Sequence, residues 1–234
     1  MQARTAEYPL SDNTDLRFAA VLTNRAQDAK RKTDRTRNRL LASLAKHLAD
    51  GIDRRELKVA SVTAAAEVAH GTFYRYFDDI RAATDVLIED FALFLRAMLS
   101  TQRGGEPGSR ERVRGTSLVY ARLFADNAAL MKCLFDMGSE STAFARSYQE
   151  LNRSWYERTA MAIARHKTEN GEASTPEEAL PVAYALGGMV DEFLTQIHLR
   201  KEPALAHFAD DPEAVADFLT DLWLKGAYGT VSPS

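Results

Sequence analysis

The chain has little of what disulfide-bonded or turn-rich proteins need. Of its 234 residues only Cys133 is a cysteine, so neither an intrachain disulfide nor a thiolate zinc cluster can form. Seven prolines and twelve glycines are few for this length, whereas the helix formers Ala, Leu, Arg and Glu recur throughout. These absences argue against a sandwich or barrel and predict an all-α protein.

Long apolar runs are also missing. The longest charge-free stretch of the C-terminal half, residues 179–190, has twelve residues, against the ~20 that a membrane helix needs. The N-terminus lacks the apolar core of a signal peptide, because its longest apolar run lies between Arg17 and Arg25. We therefore expect no membrane contact and a cytoplasmic protein.

Charge is unevenly distributed along the chain. Residues 25–76 hold twelve Lys or Arg against six Asp or Glu, although the formal net charge of the chain is -3. A basic segment in an otherwise acidic chain is typical of a region that binds a polyanion. The densest basic run, residues 30–39, is interpreted either as a solvated helix face or as an arm that contacts nucleic acid.

Apolar periodicity predicts a small three-helix head. From Thr33 as the expected N-cap, leucines repeat at helical spacing until Gly51. Two short helices follow, over about residues 59–66 and 68–77, with almost nothing between them. Their apolar faces would lose register in one continuous line, so the helices must cross, as in a helix-turn-helix.

The rest of the chain is predicted to be a larger helical body. Asp79 is the expected cap of a helix that leads out of the head, and Thr175 and Asp211 each precede a proline at the first helical position. Further helices are expected near residues 79–99, 110–126, 127–137, 140–168, 176–200 and 211–227. The predicted domains are an N-terminal extension with a basic arm (1–32), a helix-turn-helix domain (33–78) and an effector-binding and dimerisation domain (79–234).

The functional signal lies in the segment KVASVTAAAEVAHGTFYRYF, residues 58–77. It resembles the DNA-binding domain of TetR-family transcriptional repressors, most strongly in HGTFYRYF at residues 70–77. The resemblance implies a DNA-binding regulator rather than an enzyme, with no cofactor, catalytic residue or metal. The DNA contacts implied by it, or by the basic arm, are Lys58, Ser61, Ala69, His70, Gly71, Thr72, Tyr74, Tyr76, Arg35 and Arg37.

These residue types also suit the task chemically. On a helix, His70 and Tyr74 share an outward face while Phe73 points to the core. Gly71 lets the backbone approach a base edge or phosphate, and tyrosine hydroxyls can donate to phosphates. The alternatives are that His70 merely caps a helix, that Gly71 marks a turn and that the tyrosines are packing residues.

Three positions depart from the pattern of the family. Glu67 stands where the turn usually has glycine, so the turn must adopt a conformation that a non-glycine residue tolerates. Ile80 replaces a basic residue and Ala60 an arginine, which weakens the expected binding to DNA. We interpret the basic residues 30–39 as compensating, either along phosphates or in a minor groove.

The resemblance further implies a homodimer, because one recognition helix buries too little surface to be selective alone. The expected dimer helices are those near residues 176–200 and 211–227, where Gly187 and Gly188 would admit a neighbouring helix. Their apolar stripes can alternatively close the core of the monomer.

A small, largely apolar effector is expected to release the protein from a palindromic operator. Large apolar and aromatic side chains of the body would line its site, although such residues are also typical of a core. The candidates are Phe94, Met98, Tyr120, Phe124, Phe135, Tyr148, Trp155 and Tyr184. Asp126, Asn127 and Asp191 are the candidate polar contacts.

Two other functions compete with this interpretation. A helical-bundle enzyme is suggested by Glu67 and His70, which are spaced like half of a di-iron site, and by Ser43 and Lys46, which mimic a Ser-x-x-Lys nucleophile. The second halves of both motifs are absent from the sequence. A protein-binding adaptor without DNA affinity would instead use the acidic body.

Overall fold

A computed structural model describes residues 15–100, 105, 106, 108–139 and 143–229 of the chain. This part forms ten α-helices and one 3₁₀ helix and contains no strand, which confirms the all-α prediction. The helices are α1 (Phe18–Asp28), α2 (Lys32–Ala49), α3 (Val59–Ala65), α4 (His70–Phe73), α5 (Ile80–Ser100), α6 (Arg110–Asp126), α7 (Ala128–Gly138), α8 (Ala143–Glu169), α9 (Pro176–His198) and α10 (Pro212–Tyr228). The 3₁₀ helix, Pro203–Phe208, lies between α9 and α10 and was not expected from the sequence.

Three of the predicted helix caps are present. The Asp79 carboxylate accepts the Ala82 N–H at 2.7 Å, and that of Asp211 accepts the Ala214 N–H at 2.9 Å. Thr175 forms a capping box with Glu178, in which each side chain accepts the backbone N–H of the other residue. Each cap satisfies an N–H that the first helical turn leaves without a partner.

The predicted N-cap of α2 is wrong. The helix begins at Lys32, one residue before Thr33, and the capping position Arg31 makes no side-chain cap. Lys and Arg are good helix formers, and only three residues separate α1 from α2, so the helix extends toward its N-terminus beyond the polar residue that would have capped it.

Residue contacts divide the chain into two compact units. The first contains α1 to α4, α5 as far as Met98, and α7; the second contains α6, α8, α9 and α10. The two units are defined by how densely their residues contact one another, which need not coincide with functional domains. The functional boundaries expected at residues 32 and 78 remain a prediction, and residues 1–14 of the expected N-terminal extension lie outside the described part.

The first unit is built on an aromatic cluster under α1. Phe18 is fully buried, and its ring lies 5.4 Å from that of Phe91 and 5.1 Å from that of Phe94, both on α5. Leu22 and Ala26 continue the same buried face one and two turns later. The first helix is therefore part of the core of this unit.

A buried asparagine holds the start of α1 in place. The Asn127 side chain accepts the Phe18 N–H at 2.7 Å and donates to the Leu16 carbonyl at 2.8 Å. The amide side chain of Asn127 thus satisfies one backbone donor and one backbone acceptor that are buried away from solvent. Asn127, an expected polar contact of the effector, serves the fold in this unit.

The second unit combines an apolar core with surface ion pairs. Small buried residues of α8 and α9, among them Ala160, Ala164 and Ala183, let the two helices pack closely. α6 is tied to α10 by a row of ion pairs between its arginines and the acidic residues of α10. These pairs are Arg110–Asp221, Arg114–Glu213, Arg114–Asp217 and Arg122–Glu213.

Within the described residues, no helix combines the length and the apolar character needed to cross a bilayer.

Replacing Asn127 by alanine tests how α1 is held. The substitution leaves the Phe18 N–H and the Leu16 carbonyl buried without this partner, so we expect a loss of about 1–3 kcal/mol in the free energy of unfolding. Urea denaturation followed by circular dichroism measures it. Asn24→Ala, at an exposed position of α1, is the control. Equal stability of the two variants would contradict this account of α1.

Candidate nucleic-acid interface and effector site

Buried side chains and one hydrogen bond hold the two short helices of the head in place. On α3, Val62 is fully buried, and its carbonyl accepts the hydroxyl of Ser43 on α2 at 2.9 Å. On α4, Phe73 is fully buried, with its ring 5.5 Å from that of Phe77. A helix of four residues has no stability of its own, so these contacts hold α4 in place.

The outward side of α4 is open to solvent. His70, Gly71 and Tyr74 are exposed, and the rings of His70 and Tyr74 lie 5.6 Å apart. Tyr74 is 53% exposed, which excludes a purely packing role for it. A side chain built on Gly71 would meet no atom within 4 Å, so the surface around it is free to contact a partner. We call His70, Gly71 and Tyr74 the exposed face.

The remaining predicted DNA contacts of the head lie at its surface to different degrees. Lys58, Ser61 and Ala69 are exposed, and Thr72 and Tyr76 are half-buried. The helix α4 is shorter than the stretch 69–76 that the sequence suggested, because Tyr74 to Tyr76 form a turn. His70 does not cap the helix; the capping position is Ala69.

Glu67 forms the turn between the two helices in a left-handed conformation. Its φ is +51°, in the region that favours glycine, and an ordinary residue there costs about 1–2 kcal/mol. Its carboxylate accepts a hydrogen bond from the Arg39 guanidinium of α2 at 2.7 Å. The turn keeps the geometry that glycine usually provides, and an ion pair ties it to α2.

A basic stripe leads along α2 from this turn. Arg39 pairs with the turn, and Arg35 and Lys32 follow on the same helix face, one and two turns earlier, both exposed. Arg35 donates to the Ala29 carbonyl at 3.0 Å, and this acceptor carries no formal charge. Lys32, Arg35 and the neighbouring exposed residues Lys30 and Arg31 are named the basic stripe.

The basic arm expected over residues 30–39 is largely helical. Residues 32–39 form the first two turns of α2 instead of a free segment. Arg37 is half-buried, with its guanidinium 3.4 Å from the Asp90 carboxylate of α5, so its charge is largely balanced within the first unit. Its role as a DNA contact stays a prediction with less support than that of Arg35.

The candidate effector-lining residues fall in both units. In the first, Phe94 and Met98 are fully buried and Phe135 is half-buried. Phe94 packs against Phe18, in agreement with the alternative that it is a core residue. An effector-lining role for these three stays a prediction.

In the second unit two of the candidates, Tyr120 and Tyr148, interact with the half-buried carboxylate of Asp191. The Tyr120 hydroxyl donates to Asp191 Oδ1 at 2.6 Å. Tyr148 and Trp155 are half-buried, Phe124 is fully buried, and Tyr184 is exposed. Burial raises the pKa of the Asp191 carboxyl to about 6, and the hydrogen bond from Tyr120 offsets this only in part.

Gly187 serves the interior of its own unit. A side chain built on it would collide with the ring of Tyr156 of α8, which covers this glycine and stacks on Tyr184 with ring centroids 4.0 Å apart. The expectation that Gly187 admits a helix from another molecule is therefore wrong. Gly188 has nothing within 4 Å and remains open to a neighbour.

One residue of each enzyme-like motif has a structural partner. Glu67 pairs with Arg39, and the Ser43 hydroxyl donates to a carbonyl of α3. In the described ranges no group of three or more His, Cys, Asp or Glu side chains is placed to hold a metal ion. Cys133 is buried, and burial raises the pKa of its thiol, which agrees with a packing role.

Comparison with known sequences places the chain among transcription factors. Residues 113–229 match the family described as "Transcriptional regulator EthR, C-terminal domain". The chain is 23% identical over 210 residues to the HTH-type transcriptional regulator EthR of Mycolicibacterium smegmatis, an alignment that covers 89% of this chain and 94% of the relative.

Solved structures show the same fold. A TetR-like transcriptional regulator from Rhodococcus sp. RHA1 superposes with a TM-score of 0.63 at 19% identity, covering 83% of this chain and 97% of that one. The transcriptional regulator FadR of Bacillus subtilis, solved in complex with stearoyl-CoA, superposes with a TM-score of 0.59 at 16% identity. That superposition covers 80% of this chain and 97% of the FadR chain.

The strain at Glu67 predicts that glycine is better there. Glu67→Gly and Glu67→Gln both remove the ion pair with Arg39, but only the former relieves the left-handed backbone. We expect the Gly variant to exceed the Gln variant by about 1 kcal/mol in the free energy of unfolding, measured by urea denaturation. A Gly variant no more stable than the Gln variant would show that the turn is unstrained.

Proposed function

Because the chain belongs to the TetR family of DNA-binding transcriptional regulators, we propose that it is a repressor that a small effector releases from a palindromic operator. The observation that carries the proposal is the exposed face of His70, Gly71 and Tyr74, which the buried Phe73 holds outward. A short helix presented in this way suits the major groove of a duplex.

Each part of the head has its own role in this proposal. Ala69, His70, Gly71 and Thr72 contact base edges, and the hydroxyls of Tyr74 and Tyr76 donate to phosphates, which fixes the register of the helix without reading sequence. Lys58 and Ser61, exposed near the start of α3, lie over the opposite backbone. The basic stripe supplies further phosphate contacts, with Arg35 the best placed of its arginines.

Two copies of the chain are needed for selective binding. A dimer places two recognition helices on half-sites about one helical turn apart. The helices α9 and α10 are the proposed dimer surface, because Tyr184 and Phe218 are 43% and 41% exposed and Gly188 is open. Exposed aromatic side chains beside an open glycine are typical of a surface that another helix covers.

The second unit is the proposed site of the effector. Its half-buried aromatic residues Tyr120, Tyr148 and Trp155 provide a largely apolar lining with hydroxyl groups. The Bacillus subtilis regulator FadR has this fold and was solved with stearoyl-CoA, which supports an effector with an apolar part. Effector binding lowers operator affinity by no more than the difference between its affinities for the two states.

The protein works beside DNA, so we place it in the cytoplasm. Catalysis forms no part of the proposal, since the chain resembles regulators and Glu67 and Ser43, one residue of each enzyme-like motif, have structural partners.

Footprinting on the DNA that flanks its own gene tests the proposed function. We expect two protected patches, related by two-fold symmetry and separated by about 10 base pairs from centre to centre. Sedimentation of the protein alone should give a dimer. A strictly monomeric protein, or the absence of any protected sequence beyond non-specific coverage, would contradict the proposal.

Neutralising the basic stripe tests its binding to phosphates. A triple variant with Lys30, Arg31 and Lys32 changed to Gln should lower the slope of log K against log salt by ~0.9 for each phosphate that it no longer neutralises. Deleting residues 1–32 is unsuitable, because α1 is part of the core. Affinity is measured by fluorescence anisotropy over a range of salt concentrations.

The matched control changes the same charge on α8. Arg146, Arg153 and Arg158 are exposed, and their triple change to Gln should leave the slope unaltered. If both triple variants lower the slope equally, the effect belongs to net charge and the role of the basic stripe is refuted.

A further inference from the structure

Asp191 carries a charge that the fold does not balance. Its carboxyl, with a pKa raised to about 6, is mostly ionised at neutral pH, yet its neighbours among the described residues include no Lys, Arg or His. Several other acids of α9 and α10 are paired: Glu192 with Arg200, and both Glu213 and Asp217 with Arg114. Asp191 differs from these acids, because no cation pairs with it among the described residues.

The carboxylate is also within reach of a small molecule. Asp191 and Tyr120 are both half-buried by accessible surface, so neither is sealed inside the unit. Partial burial nevertheless raises the pKa of both groups, that of the Tyr120 phenol well above its usual value. Such a position, desolvated but open, is typical of a binding site.

Two tyrosines of α8 also lie within electrostatic reach of this carboxylate. Burial, and after it the charge of Asp191, raises the pKa of Tyr156 to about 12. Burial raises the pKa of Tyr148 to about 12, with a smaller contribution from Asp191. Both phenols are therefore neutral at physiological pH and lie in the field of the carboxylate.

The position of Tyr156 depends on one face of α9. Tyr184, Gly187 and Asp191 follow one another along this face at helical spacing. Tyr156 stacks on the first and lies directly over the second, where any side chain would displace it. The missing side chain at Gly187 brings an aromatic ring one helical turn from the carboxylate.

We propose that the effector carries a positively charged amine or ammonium group, bound by Asp191 and by the aromatic rings of Tyr120, Tyr148 and Tyr156. The inference rests on the proposed function, since it takes the second unit as the effector site. A cation supplies the charge that Asp191 lacks, and aromatic faces attract cations. A neutral hydroxyl would leave the charge unbalanced, and an anionic group would be repelled.

A matched pair of ligands tests the proposal. Phenylbutylamine and phenylbutanol share the same apolar body and differ in charge. The chain has two tryptophans, Trp155 and Trp223, whose rings lie 6.2 Å apart in the second unit, so their fluorescence reports binding there. We expect the amine to bind about tenfold more tightly than the alcohol, as for a close charge pair.

Two variants of α9 distinguish an effect of the Asp191 charge from an effect of the protein's net charge. Asp191→Asn retains an acceptor for Tyr120 but removes the charge, and it should bind the two ligands equally. Glu192→Gln makes the same change in charge at an exposed neighbour and should retain the preference for the amine. A preference that survives in Asp191→Asn, or that is absent from the unaltered protein because neither ligand binds, would overturn the proposal.

Thermal unfolding excludes a purely structural role for Asp191. Removing a disfavoured charge should raise the Tm of Asp191→Asn by about 3 °C at pH 7.5. The carboxyl of Asp191 ionises less readily in the folded protein, where its pKa is about 6, than in the unfolded chain, where the usual value of 3.8 applies. The cost is therefore absent below about pH 4, grows as the pH rises through the folded pKa and is complete above about pH 7.

The pH dependence has few other contributors at this site. The titratable groups that face Asp191 are Tyr120 from α6 and Tyr148 and Tyr156 from α8, and all three stay neutral over this range. Within the described residues, no charged group of α10 contributes to the pKa shift of Asp191. A lower Tm of Asp191→Asn than of the unaltered protein at pH 7.5 would count against a binding role.

Release of operator DNA distinguishes this inference from the proposed function. Amine binding that needs Asp191 but leaves the protein on DNA in a gel shift would support the cation site and refute effector control. DNA release by phenylbutanol as readily as by the amine would support effector control and refute the cation site.

Discussion

The burial of Phe73 beneath a helix of four residues is the constraint on which the head depends. So short a helix forms only where tertiary contacts hold it, and the fully buried Phe73, in ring contact with Phe77, provides them. Because side chains on a helix diverge, fixing Phe73 inward leaves His70 and Gly71 facing solvent. The surface proposed to read DNA is thus set by a side chain that points away from it.

The other features of the head support this arrangement. The left-handed backbone at Glu67 turns the chain sharply enough for α4 to cross α3, and Arg39 ties that turn to α2. The same helix carries Lys32 and Arg35 of the basic stripe, so these expected phosphate contacts and the expected base contacts of α4 lie on packed elements. Preorganisation of this kind lowers the ordering cost of binding.

The second unit is held together by an apolar core and by ion pairs at its surface. Its core of small residues brings α8 and α9 together, and surface ion pairs with Arg114 at their centre tie α6 to α10. Among the described residues no cation pairs with the half-buried Asp191, so its ionisation has a cost in stability that a purely structural design would avoid. Functional sites are where such local costs are expected.

Local chemistry made much of this structure predictable. The caps at Asp79, Thr175 and Asp211 depend on residues a few positions apart, and the faces of α4 follow from helical spacing. For the same reason, the all-α class and the helix order could be predicted from composition and periodicity. Pairings between distant residues could not. Asn127 bonds to a residue 109 positions away and Tyr120 to one 71 positions away, and the cover of Tyr156 over Gly187 depends on how helices pack, which spacing along one helix does not specify.

Affinity for operator DNA after Gly71→Glu is the most direct test of the central claim, that the exposed face enters a duplex groove. Gly71 has a φ outside the positive region and nothing within 4 Å of a Cβ, so the variant should fold and unfold thermally as the unaltered protein does. A carboxylate at this position would bring a negative charge into the groove of a polyanion, and we predict that affinity falls by more than about tenfold. Unchanged affinity in a folded variant would contradict the account.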